Sequence, residues 1–184
     1  EEGETAIALT ECLIPVWQAL DECSLDPAER LLWLIDRTLE DDYELTYYTD
    51  EHCDAWAAGP EAWSHAADDL LERLRELGDP GDDWSAQYER KRLSNWASAA
   101  LENAGRDANA LALALEEAPR TNSYERAFRL LRKLGRDAEA RALAEEGIRT
   151  TRESRSGIAR ALEERLREMT LTDGPDGSAA AFAA

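Results

Sequence analysis

The chain has 184 residues, 43% of them hydrophobic and 33% charged, a balance that excludes an apolar-poor disordered chain. Forty acidic residues against 21 basic ones give a net charge of -19, so direct binding of a phosphate backbone by this region is not expected. No apolar run is long enough to cross a bilayer, and no membrane partner is expected.

Alanine, leucine, glutamate and arginine dominate, and valine occurs once, at Val16. These are helix formers, and the β-branched residues that a sheet would need are scarce. The expected fold is all-α. Only Lys91 and Lys133 are lysines, so arginine supplies nearly all the positive charge. That usage suggests a GC-rich genome, and the acidity also fits adaptation to concentrated salt.

Eight helices are predicted. The first covers roughly 5–23, with Ile7, Leu13, Ile14, Trp17 and Leu20 on one face. The second opens with Asp26 as N-cap, Pro27 at the first helical position and Glu29 three after the cap. Its apolar stripe is Leu31, Leu32, Trp33, Leu34, Ile35 and Leu39, and its end is predicted near Leu45. Residues 46–59 are the least regular stretch and read as a loop with room for one helical turn.

A third helix is predicted from Pro60 to Leu77, ended by Gly78, Pro80 and Gly81. A fourth runs from Trp84 to Ala104 with Tyr88, Leu93, Trp96, Ala97, Ala100 and Leu101 inward. Next comes an internal repeat with a thirty-residue offset. Ala97, Ala100, Leu101, Gly105, Arg106, Asp107, Ala108 and Ala110 recur as Ala127, Leu130, Leu131, Gly135, Arg136, Asp137, Ala138 and Ala140. Glycine ends one helix in the left-handed conformation, and aspartate two residues later is the expected cap of the next. Leu74, Leu77 and Gly78 read as a degenerate earlier copy. Alanines 108, 110, 112 and 114 would permit close helix approach. The last helix, about 154–169, turns Ile158, Ala161, Leu162, Leu166 and Met169 inward.

Helix pairs of this kind bury their apolar faces by stacking, which predicts an α-solenoid of antiparallel pairs. The expected organisation is one helical-repeat domain over 1–169, with a candidate boundary at 79–83, then a disordered tail over 170–184.

The joint Leu131-Arg-Lys-Leu-Gly-Arg-Asp-Ala-Glu-Ala140 resembles tetratricopeptide repeats, although its period is shorter. Three segments extend the resemblance: Asn122-Ser-Tyr-Glu-Arg126, Leu143-Ala-Glu-Glu-Gly-Ile-Arg-Thr150 and Gly157-Ile-Ala-Arg-Ala-Leu-Glu-Glu-Arg-Leu166. Together they look like the helical region that follows the zinc finger in prokaryotic SWIM zinc-finger proteins. The finger's Cys-x-Cys…Cys-x-His pattern is absent from this sequence. The resemblance therefore implies only the accessory helical part of such a protein, with any finger upstream.

Cys12, Cys23 and Cys53 are odd in number and lack Cys-x-x-Cys spacing, which fits a reducing cytoplasm. The chain opens without a basic or apolar leader and without methionine, as expected of a cytoplasmic fragment. Soft ligands are few: His52, Cys53, His65 and Cys23 lack the short paired spacing of zinc sites. Glu61, His65, Asp68 and Asp69 share adjoining faces of the third helix, the pattern of a carboxylate metal hydrolase, but a charged amphipathic helix offers it by chance. The acidic pairs Glu116-Glu117, Glu145-Glu146 and Glu163-Glu164 read as a solvated face. No phosphate loop or nucleophile elbow is present, and no cofactor, metal or catalytic residue is expected.

Trp17, Trp33, Trp63 and Trp96 sit at core phases. Tyr47, Tyr48 and Trp56 lie on the irregular stretch, where they either line a groove for a partner or pin the loop to the core. The sequence thus points to a non-enzymatic scaffold for a protein partner, a basic or helical segment. A nucleic-acid mimic and a metal hydrolase are the alternatives.

Overall fold

The computed structural model describes residues 2–41, 53–153 and 155–172. Among the described residues the chain is all-helical. The elements are α1 (Glu2–Glu22), α2 (Pro27–Glu40), a 3-10 turn (Asp54–Ala57), α3 (Pro60–Glu76), α4 (Trp84–Asn103), α5 (Asp107–Thr121), α6 (Tyr124–Lys133), α7 (Asp137–Thr151) and α8 (Ser156–Thr172).

Two compact units form: residues 1–78 with 88–110, and residues 79–87 with 111–184. The sequence suggests one domain with a boundary at 79–83. The chain passes between the units at three points: between Gly78 and Asp79, within α4 and within α5.

The start of α2 follows its local chemistry. Asp26 Oδ1 accepts the N–H groups of Ala28 and Glu29 at 2.8 and 3.0 Å, and Glu29 Oε2 accepts the Asp26 N–H at 3.0 Å. This reciprocal box satisfies donors that the first turn leaves open. The helix ends at Glu40, short of the predicted Leu45, and Asp41 is already extended. The acids Asp41, Asp42 and Glu44 follow, and negative charge opposes the helix dipole at a C-terminus.

The first unit packs α2 against α3 and against the 3-10 turn, which also meets α1. Leu31, Leu34, Ile35, Trp63, Ala66, Leu70, Leu74, Leu93, Ala97 and Leu101 are buried there. Arg73 ties the helices electrostatically, contacting Asp36 of α2 and Asp69 of its own helix at 2.5 Å each. Tyr88 is 50% exposed, against expectation. The buried stripe of α4 is Arg90, Leu93, Ser94, Ala97 and Leu101, and Tyr88 lies well off that phase.

In the second unit α6 packs on α7 and α7 on α8. Tyr124, Ala127, Phe128, Leu130 and Leu131 of α6, Ala140 and Ala144 of α7 and Leu162 and Met169 of α8 are buried in this unit. α8 continues to Thr172, beyond the predicted end at 169, and residues 173–184 lie outside the described ones. Along α5, Ala110 and Ala114 are buried while Ala108 and Ala112 are exposed, because one helix face repeats at three or four residues rather than two.

The α4–α5 and α6–α7 joints have the same backbone geometry. Gly105 and Gly135 have φ of 72° and 70°. The Arg106 N–H reaches the Leu101 carbonyl at 2.8 Å, and the Arg136 N–H reaches Leu131 at 2.9 Å. The glycine N–H groups bond to the carbonyls of Glu102 and Arg132, at 3.0 Å each. This is the Schellman pattern, which satisfies open carbonyls at a helix end. The expected aspartate cap at the second joint does not form: Arg136 occupies the cap position without a side-chain cap bond. Asp137 stands in the first turn and pairs with Arg132 at 2.7 Å. Asp107 likewise begins α5 rather than preceding it.

Candidate functional site

The aromatic residues singled out from sequence fall on both sides of a boundary. Tyr47 and Tyr48 lie outside the described residues, within 42–52. Trp56 lies on the 3-10 turn just after that stretch and is half-buried. Its indole is stacked on two others: Trp96 at a centroid distance of 5.3 Å and 11° between planes, and Trp63 at 6.3 Å and 20°. Trp63 is buried and Trp96 half-buried. The stack fixes the orientation of Trp56 while leaving part of its surface accessible. It thus joins features of the two sequence readings, a loop pin and an accessible aromatic anchor.

The chain is held on both sides of 42–52. Before it, Arg92 of α4 donates from Nη2 to the Thr38 carbonyl at 2.6 Å and to the Asp41 carbonyl at 3.5 Å. These are carbonyls of the last turn and cap of α2, where a guanidinium also suits the helix dipole. After it, Asp21 of α1 accepts the Asp54 N–H on Oδ2 at 3.0 Å and the Cys53 thiol on Oδ1 at 3.6 Å. The Asp21 carbonyl in turn accepts Arg30 Nη1 at 3.0 Å. Cys53 and Ala55 join Trp17, Leu20 and Leu34 in a small core, with Trp33 set edge-on to Trp17 at 5.9 Å. Neither Arg92 nor Asp21 belongs to a sequence motif. Their partners are distant in the chain.

Burial pushes the Cys53 thiol up to about 11 from its ordinary 9.0, and the Asp21 carboxylate beside it acts in the same direction. At neutral pH it is a thiol and a poor nucleophile. Cys12 is exposed. Titration of the native protein with a disulfide reagent near pH 8 is therefore expected to label Cys12 rapidly and Cys53 only on unfolding; equal rates would show that the 3-10 turn opens freely. The folded state holds the Cys53 proton more tightly than the unfolded state. Its contribution to stability is full below about pH 9 and is lost as pH rises towards 11.

The carboxylates of α3 are drawn to arginines rather than to one another. Asp68 pairs with Arg106 at 2.7 Å, with Ser64 Oγ on the same guanidinium nitrogen at 3.2 Å, and Asp69 pairs with Arg73. His65 is exposed. Among the described residues no His, Cys, Asp or Glu group has the geometry to hold a metal ion. His52 lies outside them. Also among them, no helix is long and apolar enough to cross a membrane. No protein-family model, no curated protein and no solved structure matches the chain.

Proposed function

We propose that the chain is a non-enzymatic helical module that binds a protein partner, and that it serves as the accessory helical region of a larger SWIM-type protein, with helix pairs in a tetratricopeptide-like arrangement. The observation that supports the binding role is the anchoring of the chain on both sides of 42–52, with the half-exposed Trp56 set in an indole stack. Residues held between two anchored flanks are well placed to bind a partner, and ordered aromatics make effective interface anchors. The partner is a basic or helical segment, drawn by the net charge of -19. The module works in the cytoplasm, in keeping with three cysteines that are odd in number and lack Cys-x-x-Cys spacing.

The test is capture of a partner from host lysate at low and high salt, with Tyr47→Ala and Tyr48→Ala variants alongside. One stoichiometric partner retained at high salt is expected, weakened about tenfold or more by either substitution, as for truncation of an interface anchor. Unchanged capture by both variants would remove the segment from the interface. Only salt-labile basic proteins would favour a nucleic-acid mimic instead.

A further inference from the structure

In this acidic chain many arginines face a carboxylate, as Arg73, Arg106 and Arg136 do. One place differs. At the end of α7 and along α8 a cleft of about 430 Å³ is lined by Arg152, Arg160 and Arg167, with Ser156, Glu163 and Glu164 between them. Arg152 is engaged by Glu163 at 2.8 Å. Arg160 and Arg167 have no ion-pair partner among the described residues. They stand seven residues apart on α8, two turns or about 10 Å along its axis, so both guanidiniums belong to one face. Glu164 lies between them on that face.

We infer that this cleft binds a small phosphorylated molecule carrying hydroxyl groups. Guanidinium forks match phosphate oxygens in bidentate fashion, and free arginines within a cleft supply that match without first breaking an ion pair. Glu163 and Glu164 are acceptors only, so they suit hydroxyl donors on the carrier and reject a second anion beside them. The spacing of Arg160 and Arg167 suits a ligand with anionic groups at both ends or a phosphate seated at one end. The cleft volume falls in the range of small-molecule sites. A small ligand is favoured over an acidic macromolecule because the net charge of -19 repels an extended anion far more than a compact one. Arg160 and Arg167 are both exposed, so removing their charge leaves the helical core intact.

The experiment is calorimetric titration and amide chemical-shift mapping of the full chain with ribose 5-phosphate, ADP and inorganic pyrophosphate, with potassium sulfate at matched ionic strength as the control. Expected are submillimolar binding of at least one organic phosphate and shift changes confined to residues 152–167. Arg160→Gln and Arg167→Gln should each weaken it about tenfold or more with unchanged melting temperature. Tighter binding of ADP than of ribose 5-phosphate would show that the second phosphoryl group or the base adds contacts in the cleft; the reverse would seat one phosphate with the sugar on the glutamates. The proposal is overturned by no binding at millimolar concentration, by sulfate or pyrophosphate alone acting as well as every organic phosphate, or by binding that survives both substitutions.

Discussion

Replacing Gly147 by leucine is expected to cost upwards of about 3 kcal/mol of stability, because the α6–α7–α8 core is closed around a missing side chain. A Cβ at Gly147 would meet Leu162 Cδ1 at 2.6 Å and Tyr124 Cγ at 2.9 Å. The leucine methyl is the free end of a side chain and can turn away. The tyrosine cannot easily do so: Cγ is the root of its ring, the residue is 3% exposed, and its hydroxyl is 3.1 Å from Thr150 Oγ1. Thr150 Oγ1 donates into the last turn of α7, to the carbonyls of Glu146 and Gly147 at 3.1 Å. The ring is thus tethered to the helix that carries the glycine.

Alanine at Gly147 tests the same contact more gently. Helix propensity alone would favour it by about 1 kcal/mol, and overpacking opposes it by about 1–3 kcal/mol, so a net loss is expected. Gly157 of α8 is the control, since a Cβ there meets nothing within 4 Å. Gly157→Ala should gain about 0.5 kcal/mol. Denaturant midpoints of the two alanine variants should therefore move in opposite directions. A shift of both towards higher stability would mean that the helices separate enough at Gly147 to admit a methyl group.

What the sequence discloses about this fold divides along the range of the interactions. The box at Asp26, the left-handed Gly105 and Gly135 and the buried stripes of α2 and α3 arise from residues within one or two turns of each other. Spacing alone exposes them. The site depends on contacts across the chain. Trp56 is read equally well as a loop pin or a groove residue, and its stacking with Trp63 and Trp96 is not visible in the sequence. Asp21 reaches Cys53 from 32 residues away, and Arg92 reaches Thr38 from 54. Neither pairing leaves a periodic trace. Tyr88 differs for a local reason: the phase of Leu93, Ala97 and Leu101 puts Arg90, not Tyr88, in the buried position.

Arg90 is also where the second large effect is expected: Arg90→Ala should destabilise the first unit by about 3 kcal/mol, from lost charged hydrogen bonds and exposed acceptor groups. At the two regular joints, the carbonyls of Leu101 and Leu131 are satisfied by backbone N–H groups beyond the glycine. The end of α3 begins in the same way, with Gly78 at φ 65° and its N–H on the Arg75 carbonyl at 3.2 Å. Pro80 then biases Asp79 towards extended backbone. The Leu74 carbonyl takes its bond from Arg90 Nη1 at 3.1 Å, and the Gly78 carbonyl is bonded by the same nitrogen. A side chain from α4 thus closes a helix end that the backbone closes elsewhere, and its positive charge lies where the α3 dipole is negative. Arg90 is 6% exposed, so its stem is also packing. Arg90→Met keeps much of that stem and removes the donor; it should lose about 2 kcal/mol, the worth of hydrogen bonds from a charged group. Lysine should recover part of the loss, because both bonds leave a single nitrogen and an ammonium carries three donors, though on a shorter and more flexible stem. Urea unfolding of the three variants separates the contributions. If methionine were as stable as arginine, the carbonyls of Leu74 and Gly78 would have to find other donors, and the side-chain closure of α3 would carry no stability of its own.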